Sequence, residues 1–238
     1  MTIAIIGAME QEIALLAEKI ENRTELTVAN TKLFQGTFEG LDIVLVKSGI
    51  GKVNAAMATT ILHERFQPEL ILNIGSAGGL ITDLAIGDIV ISDETIHHDI
   101  DSTAINDCVL GELPGMPARY PSDPRLVKLM SEIVPQIGLN YRIGLIGTGD
   151  AFIADKARTE FIKTSFPGIL AVEMEAAAIA QVCYQYDTPF VVLRALSDIP
   201  EQEMPMTFVE YLEFAAKNST KMVIAALKAL KETPLNTL

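Results

Sequence analysis

The chain has no tryptophan, two cysteines, three histidines, and only 18 basic residues against 31 acidic ones. Each scarcity removes a class of function. Cys108 and Cys183 make no disulfide framework and have no metal-ligand spacing, so a reduced, cytoplasmic setting is expected. A net charge of −13 with no basic stripe to offset it repels phosphate backbones, which argues against nucleic acid as a partner. No uncharged apolar run approaches the ~20 residues of a membrane span. The opening "MTIAIIGAME" also lacks the basic flank of a signal peptide. A soluble protein without membrane contact is the expectation.

What is present is apolar: 49% of the 238 residues are hydrophobic and 21% charged. A chain of this length buries about 70–75% of its unfolded surface, enough for a core without staples. Short apolar runs alternate with helical patterns. "TIAIIG" (2–7) reads as a strand, and Ile13, Leu16, Ala17 and Ile20 then mark one helical face. Residues 33–47 read as a hairpin and 52–66 as a helix. Strands are expected at 70–75, 88–94, 142–149, 168–173 and 189–196, the last three with helical patterns between them. A final helix is expected from Thr207, with Glu210 in capping-box position, to about Glu232. The stretch 97–124, with Pro114, Pro117, Pro121 and Pro124, has no clear period and is too long for an idle connection. No linker divides the chain, so a single α/β domain over 1–238, layered α/β/α, is the economical reading.

In open α/β sheets ligands gather beyond the carboxyl ends of strands. Six such ends carry Gly, Ser or an acid: Gly7 to Glu12, "KSGIGK" (47–52), "GSAGG" (75–79), "GTGDAFI" (147–153), "VEMEA" (172–176) and "RALSD" (194–198). None is decisive alone. "SGIGK" is not a phosphate loop, because Val53 stands where Ser or Thr is required, and "GIGKVN" has Asn54 in place of the last dinucleotide-fingerprint glycine. Ser76 is not in a nucleophile elbow. His97, His98, Asp99 and Asp101 have metal-binding side chains, but their spacing fits no known site type, and no metal is expected.

The acids pull in two directions. Glu173 and Glu175 interrupt the apolar run "AVEMEAAAIA" (171–180), and an unpartnered buried carboxylate costs several kcal/mol. If the run is extended, both project to one side with Met174 opposite. If a helix begins near Glu175, its charge simply favours the helix N-terminus. Asp198 reads equally as a helix cap, and Glu12 as an acid in a first turn. Convergence of three acids and two Gly-rich loops at one sheet edge favours a site.

These stretches, "IGAMEQE" (6–12), "KSGIGKVNAA" (47–56), "NIGSAGGL" (73–80), "GDAFI" (149–153), "AVEMEAAAIA" (171–180) and "PFVVLRALSD" (189–198), closely resemble bacterial 5'-methylthioadenosine/S-adenosylhomocysteine nucleosidases. That family lies in the purine nucleoside phosphorylase/uridine phosphorylase superfamily, and the motifs recur in order over nearly the whole chain. The resemblance implies a nucleoside phosphorylase-like fold with a central mixed twisted sheet. It also implies hydrolysis of the N9–C1' bond of 5'-substituted adenosines, a small-molecule nucleoside partner and a homodimer. Under it, Glu12 orients or deprotonates the water and Asp198, supported by Ser197, assists adenine departure through N7. Glu175 holds the ribose hydroxyls, Met174 packs on the sugar, and Glu173 supports the site. Phe152 stacks on the base and the Ile153 backbone reads its edge. Ser76, Gly78 and Arg194 order water and carboxylates, and Ile50, Ala77 and Phe208 complete the substrate-facing set.

Elementary chemistry agrees with these roles. Breaking an N-glycosidic bond puts positive charge on the sugar and negative charge on the leaving base. Carboxylate answers the first, a delivered proton the second, and no cofactor is required. Two alternatives stay open: a phosphate-dependent phosphorylase, which needs convergent Arg or Lys where "GAMEQE" offers carboxylates, and a non-catalytic nucleoside-binding protein. One departure is visible. Where the family continues Phe-Gly-Tyr after "DxDxTA", this chain has Ile105 and no nearby tyrosine. The 5' subsite is therefore altered, and Pro114 and Met116 are expected to reach across a dimer interface.

Overall fold

A computed structural model describes residues 1–105, 107–198 and 208–237, with the side chains of 208–213 and 236 outside it. Thr207, and with it the expected helix cap, lies outside the described residues. The elements run in chain order β1 (Thr2–Gly7), α1 (Glu10–Ala17), β2 (Glu21–Val28), β3 (Thr31–Phe38), β4 (Leu41–Lys47), α2 (Lys52–Phe66) and β5 (Leu70–Gly79). There follow β6 (Ile89–His97), β7 (Arg119–Pro121), α3 (Pro124–Gln136), β8 (Tyr141–Thr148) and α4 (Lys156–Ser165). The chain continues with β9 (Ile169–Glu173), α5 (Ala176–Tyr186), β10 (Phe190–Asp198), α6 (Phe208–Glu232) and a 3₁₀ turn at Leu235–Thr237.

Ten strands form one mixed sheet, ordered β10-β6-β8-β9-β5-β1-β4-β3-β2, with β7 on β6. The sheet also closes on itself. β10 runs antiparallel to β6 and parallel to β5, and β5 meets β9 through Gly78↔Val172 and Gly79↔Ala171. Strands β5, β10, β6, β8 and β9 therefore make a ring, and β1, β4, β3 and β2 extend from it. Along β1 the side chains alternate between two apolar layers. Ile3 and Ile5 join a cluster with Leu16 of α1, Met130 of α3 and Leu227 of α6. Ala4 and Ile6 join one with Ala58 of α2 and Ile179 of α5. Helices thus cover both faces of the sheet, as the continuous apolar strands require.

The expected strands and helices are present, with three differences. "GSAGG" is the end of β5 rather than a loop, because its backbone pairs with β10 in register Arg194↔Gly75, Ala195↔Ser76, Leu196↔Ala77 and Asp198↔Gly78. β2 has no apolar signature because seven of its eight residues are exposed and only β3 pairs with it. The aperiodic stretch 97–124 contributes β7, and α3 follows directly, capped by the Asp123 side chain on the Arg125 N–H.

Candidate active site

Three chain segments distant in sequence bring four carboxylates, Glu12, Glu173, Glu175 and Asp198, to a common cavity of about 610 Å³, a volume suited to a small ligand. Glu12 arrives on the first turn of α1. Its Oε2 accepts from the N–H groups of Ala8 (2.8 Å) and Met9 (3.0 Å), so it satisfies two donors that the helix start leaves open. Its Oε1 accepts from the Ser76 N–H at 3.0 Å. The approach demands glycine at 75, since a Cβ there would sit 2.8 Å from Glu12 Oε1. With three backbone donors around it, the carboxylate has one orientation.

Glu173 ends β9 and Glu175 opens α5, so the run is neither wholly strand nor wholly helix. Glu173 faces the helix start: its carboxylate accepts from the Glu175 and Ala176 N–H groups at 3.0 and 2.9 Å. It also pairs with Arg194 Nη2 at 2.6 Å and takes the Thr148 hydroxyl. Thr148 Oγ1 in turn accepts the Ala177 N–H at 2.8 Å, and Arg194 donates to Asn73 Oδ1 at 2.8 Å. Glu173 is thus paired and saturated. Glu175 instead takes the Gly51 N–H at 2.8 Å. Gly51 has φ +95° and caps α2, a conformation that favours glycine. Burial, and then the negative charge of Glu173, push the Glu175 carboxyl up to about 8, against the pull of Arg194 and the Gly51 N–H. A group so placed gains from any donor that a ligand brings.

Asp198 lies at the end of β10, where Ser197 Oγ donates to its Oδ1 at 2.7 Å. A Cβ at Gly78 would come within 3.0 Å of Asp198 Oδ2, so a bare backbone is needed beside it. Phe152, 63% exposed, and Ile50, 50% exposed, form an open apolar wall, with Met174, Ala77 and Val172 completing it.

Of the residues singled out from sequence, Glu12, Ile50, Ser76, Ala77, Gly78, Phe152, Glu173, Met174, Glu175, Ser197 and Asp198 line this cavity. Arg194 does not. At 1% exposure it stands behind Glu173, because its guanidinium is consumed by the buried ion pair and Asn73. The Ile153 side chain is not on the cavity wall either; it packs on the cluster around Leu80 and Phe166. Phe208 begins α6, and its side chain lies outside the described residues. His97 and His98 sit away from the cavity wall, His97 Nε2 being 3.0 Å from Gln181 Oε1. Reading from sequence missed Gly51, Thr148 and Asn73. Asn73 was detectable as a lone amide inside the apolar strand "LILNIG", but Gly51 acts through its backbone, which no residue type announces.

Comparison with known proteins identifies the class first. The profile of the Phosphorylase superfamily matches residues 2–231, and the chain belongs to that superfamily. A curated relative from Oceanobacillus iheyensis, a 5'-methylthioadenosine/S-adenosylhomocysteine nucleosidase, is 55% identical over 97% of this chain and 100% of its own. The nucleosidase of that name from Neisseria meningitidis, solved with methylthio-immucillin-A, superposes at TM-score 0.91 with 44% identity, covering 96% of this chain and 99% of its own. Within the superfamily, the chain belongs to the 5'-methylthioadenosine/S-adenosylhomocysteine nucleosidase family. The futalosine hydrolase of Helicobacter pylori also superposes at TM-score 0.89, with 32% identity over 96% of this chain and 98% of its own.

Proposed function

We propose that this protein hydrolyses the N-glycosidic bond of 5'-substituted adenosines, releasing adenine and the 5-substituted ribose. The observation that carries the reading is the meeting of Glu12, Glu175 and Asp198 on one cavity whose described lining contains no Lys or Arg. A phosphate nucleophile would enter facing carboxylates with no cation to hold it, whereas water meets only acceptors. The family membership and the relative solved with methylthio-immucillin-A support the same reaction.

Glu12 receives a proton from water as its oxygen bonds to C1'. The N9–C1' bond breaks with its electron pair going to the base, and Asp198, held by Ser197, delivers a proton at N7. Each turnover leaves Glu12 protonated and Asp198 deprotonated, and exchange with solvent resets them. Glu175 accepts the ribose hydroxyls while Met174 packs on the sugar. Phe152 and Ile50 cover the base and 5' side, with Ser76, Ala77 and Gly78 lining the floor, and Ile153 contributes backbone only. Arg194 acts from behind by holding Glu173. The chain works as one unit over 1–238, in the cytoplasm and as a homodimer with 97–124 near the interface. With Ile105 at the altered position, 5'-deoxyadenosine is a candidate substrate beside methylthioadenosine and adenosylhomocysteine.

Adenine release from methylthioadenosine, measured in phosphate-free buffer and again with phosphate added, tests the reaction class. Equal rates are expected; an absolute requirement for phosphate would overturn the hydrolase reading in favour of a phosphorylase.

A further inference from the structure

Three charged residues just outside the cavity form a closed circuit that the bond cleavage does not use. Lys52 Nζ lies 2.7 Å from Asp99 Oδ1. Asp99 Oδ2 accepts the Asp150 N–H at 2.9 Å, and Asp150 Oδ1 accepts the Lys52 N–H at 2.8 Å. The three come from the first turn of α2, the segment after β6 and the turn after β8. None lines the cavity, but Ile50 and Phe152, two residues from Lys52 and Asp150 respectively, do. Lys52 follows Gly51, the backbone donor to Glu175, and Ile50 of the cavity wall. Asp150 stands two residues before Phe152. The turn is packed as well as bonded: a Cβ at Gly149 would sit 2.4 Å from His98 Cε1.

The circuit is built to resist drift. Each aspartate uses both a defined oxygen and a charge-assisted bond, the stronger kind of hydrogen bond. Burial alone would raise the Asp99 carboxyl, but the bonds from Lys52 and the Asp150 N–H outweigh it and hold the group below its ordinary value. The Lys52 and Asp99 side chains are 19% and 30% exposed, so the ion pair is only partly screened.

We propose that Lys52, Asp99 and Asp150 are positioning residues that hold the sugar-facing Glu175 and the base-facing Phe152 at one separation. The inference rests on the nucleosidase reading for the identity of the ligand. Binding walls a fraction of an ångström out of place lose affinity for a ligand that spans them.

Lys52→Met removes the ammonium but keeps the stem and the backbone N–H, and Asp99→Asn removes the opposite charge at constant shape. In the full-length protein, both variants are expected to raise KM for methylthioadenosine by about tenfold, with kcat and the inhibition constant of adenine, which does not span the two walls, within about threefold of the parent. Lys52→Arg restores KM, and the thermal midpoint stays within a few degrees. A parent-like KM in both variants overturns the proposal, as does an equal rise in the inhibition constant of adenine. A fall in kcat that tracks the thermal midpoint overturns it too, by showing a merely structural role. Should Lys52→Met fail to fold, Asp99→Asn decides alone. A parent protein that releases no adenine refutes the nucleosidase reading instead, so the two failures are distinguishable.

Discussion

At the scale of single residues, Glu175 shows how placement overrides type. An ordinary glutamate titrates near 4.5, but here burial beside Glu173 lifts the carboxyl to about 8. The sign follows from proton counting. Between pH 4.5 and 8 the folded, ligand-free protein holds a proton that the unfolded chain has released. Stability from this group is therefore fully present below pH 4.5 and lost as pH rises through 8. His97 and His98, pulled down mainly by burial, act in the opposite sense, so only a difference between variants isolates Glu175. Urea denaturation of the ligand-free protein at pH 5 and pH 8.5 is expected to show Glu175→Gln gaining on the parent with rising pH, by roughly 3–5 kcal/mol. A constant gap between the two proteins would refute the shift.

At the scale of elements, the β9–α5 junction concentrates the cost of the site. Glu173 has to stop a strand, satisfy the first amides of a helix and neutralise Arg194, and it does all three from under 10% exposure. Removing one partner of such a pair leaves an unmatched buried charge. Arg194→Met is thus expected to destabilise the protein by about 3–5 kcal/mol, read as a lower urea midpoint at unchanged slope. The same junction explains why the sequence pattern was ambiguous. "AVEMEAAAIA" is strand for its first three residues and helix from Ala176, and the two glutamates fall on the change. β2 was illegible for the reverse reason: an edge strand with one neighbour and no buried face leaves no alternation to read.

At the scale of the whole molecule, several large apolar side chains remain on the surface. Val53 at the start of α2 is 78% exposed, Ile105 50%, Val109 56%, and Tyr184 of α5 55%. α2 and α5 pack on each other, so Val53 and Tyr184 belong to one pair of helices. The proposed homodimer would cover such side chains, and a symmetric pair is the commonest closed assembly. Sedimentation equilibrium is expected to give twice the 25.8 kDa chain mass. Val53→Asp is expected to shift the protein toward the monomer; a monomeric parent would end the dimer proposal.

What the sequence by itself determined is the set of elements and the chemistry at hand. Short apolar runs such as "TIAIIG" read as buried strands, and Gly, Ser and acids at strand ends have no core to join. What only the tertiary structure decided is which of those groups touch the cavity and in what state. Arg194 is turned inward because Glu173 and Asn73 take its donors, Glu175 rises because Glu173 stands beside it, and "GSAGG" becomes strand because β10 pairs with it. Desolvation, ion pairing and backbone pairing depend on neighbours far along the chain, and local residue type carries no record of them.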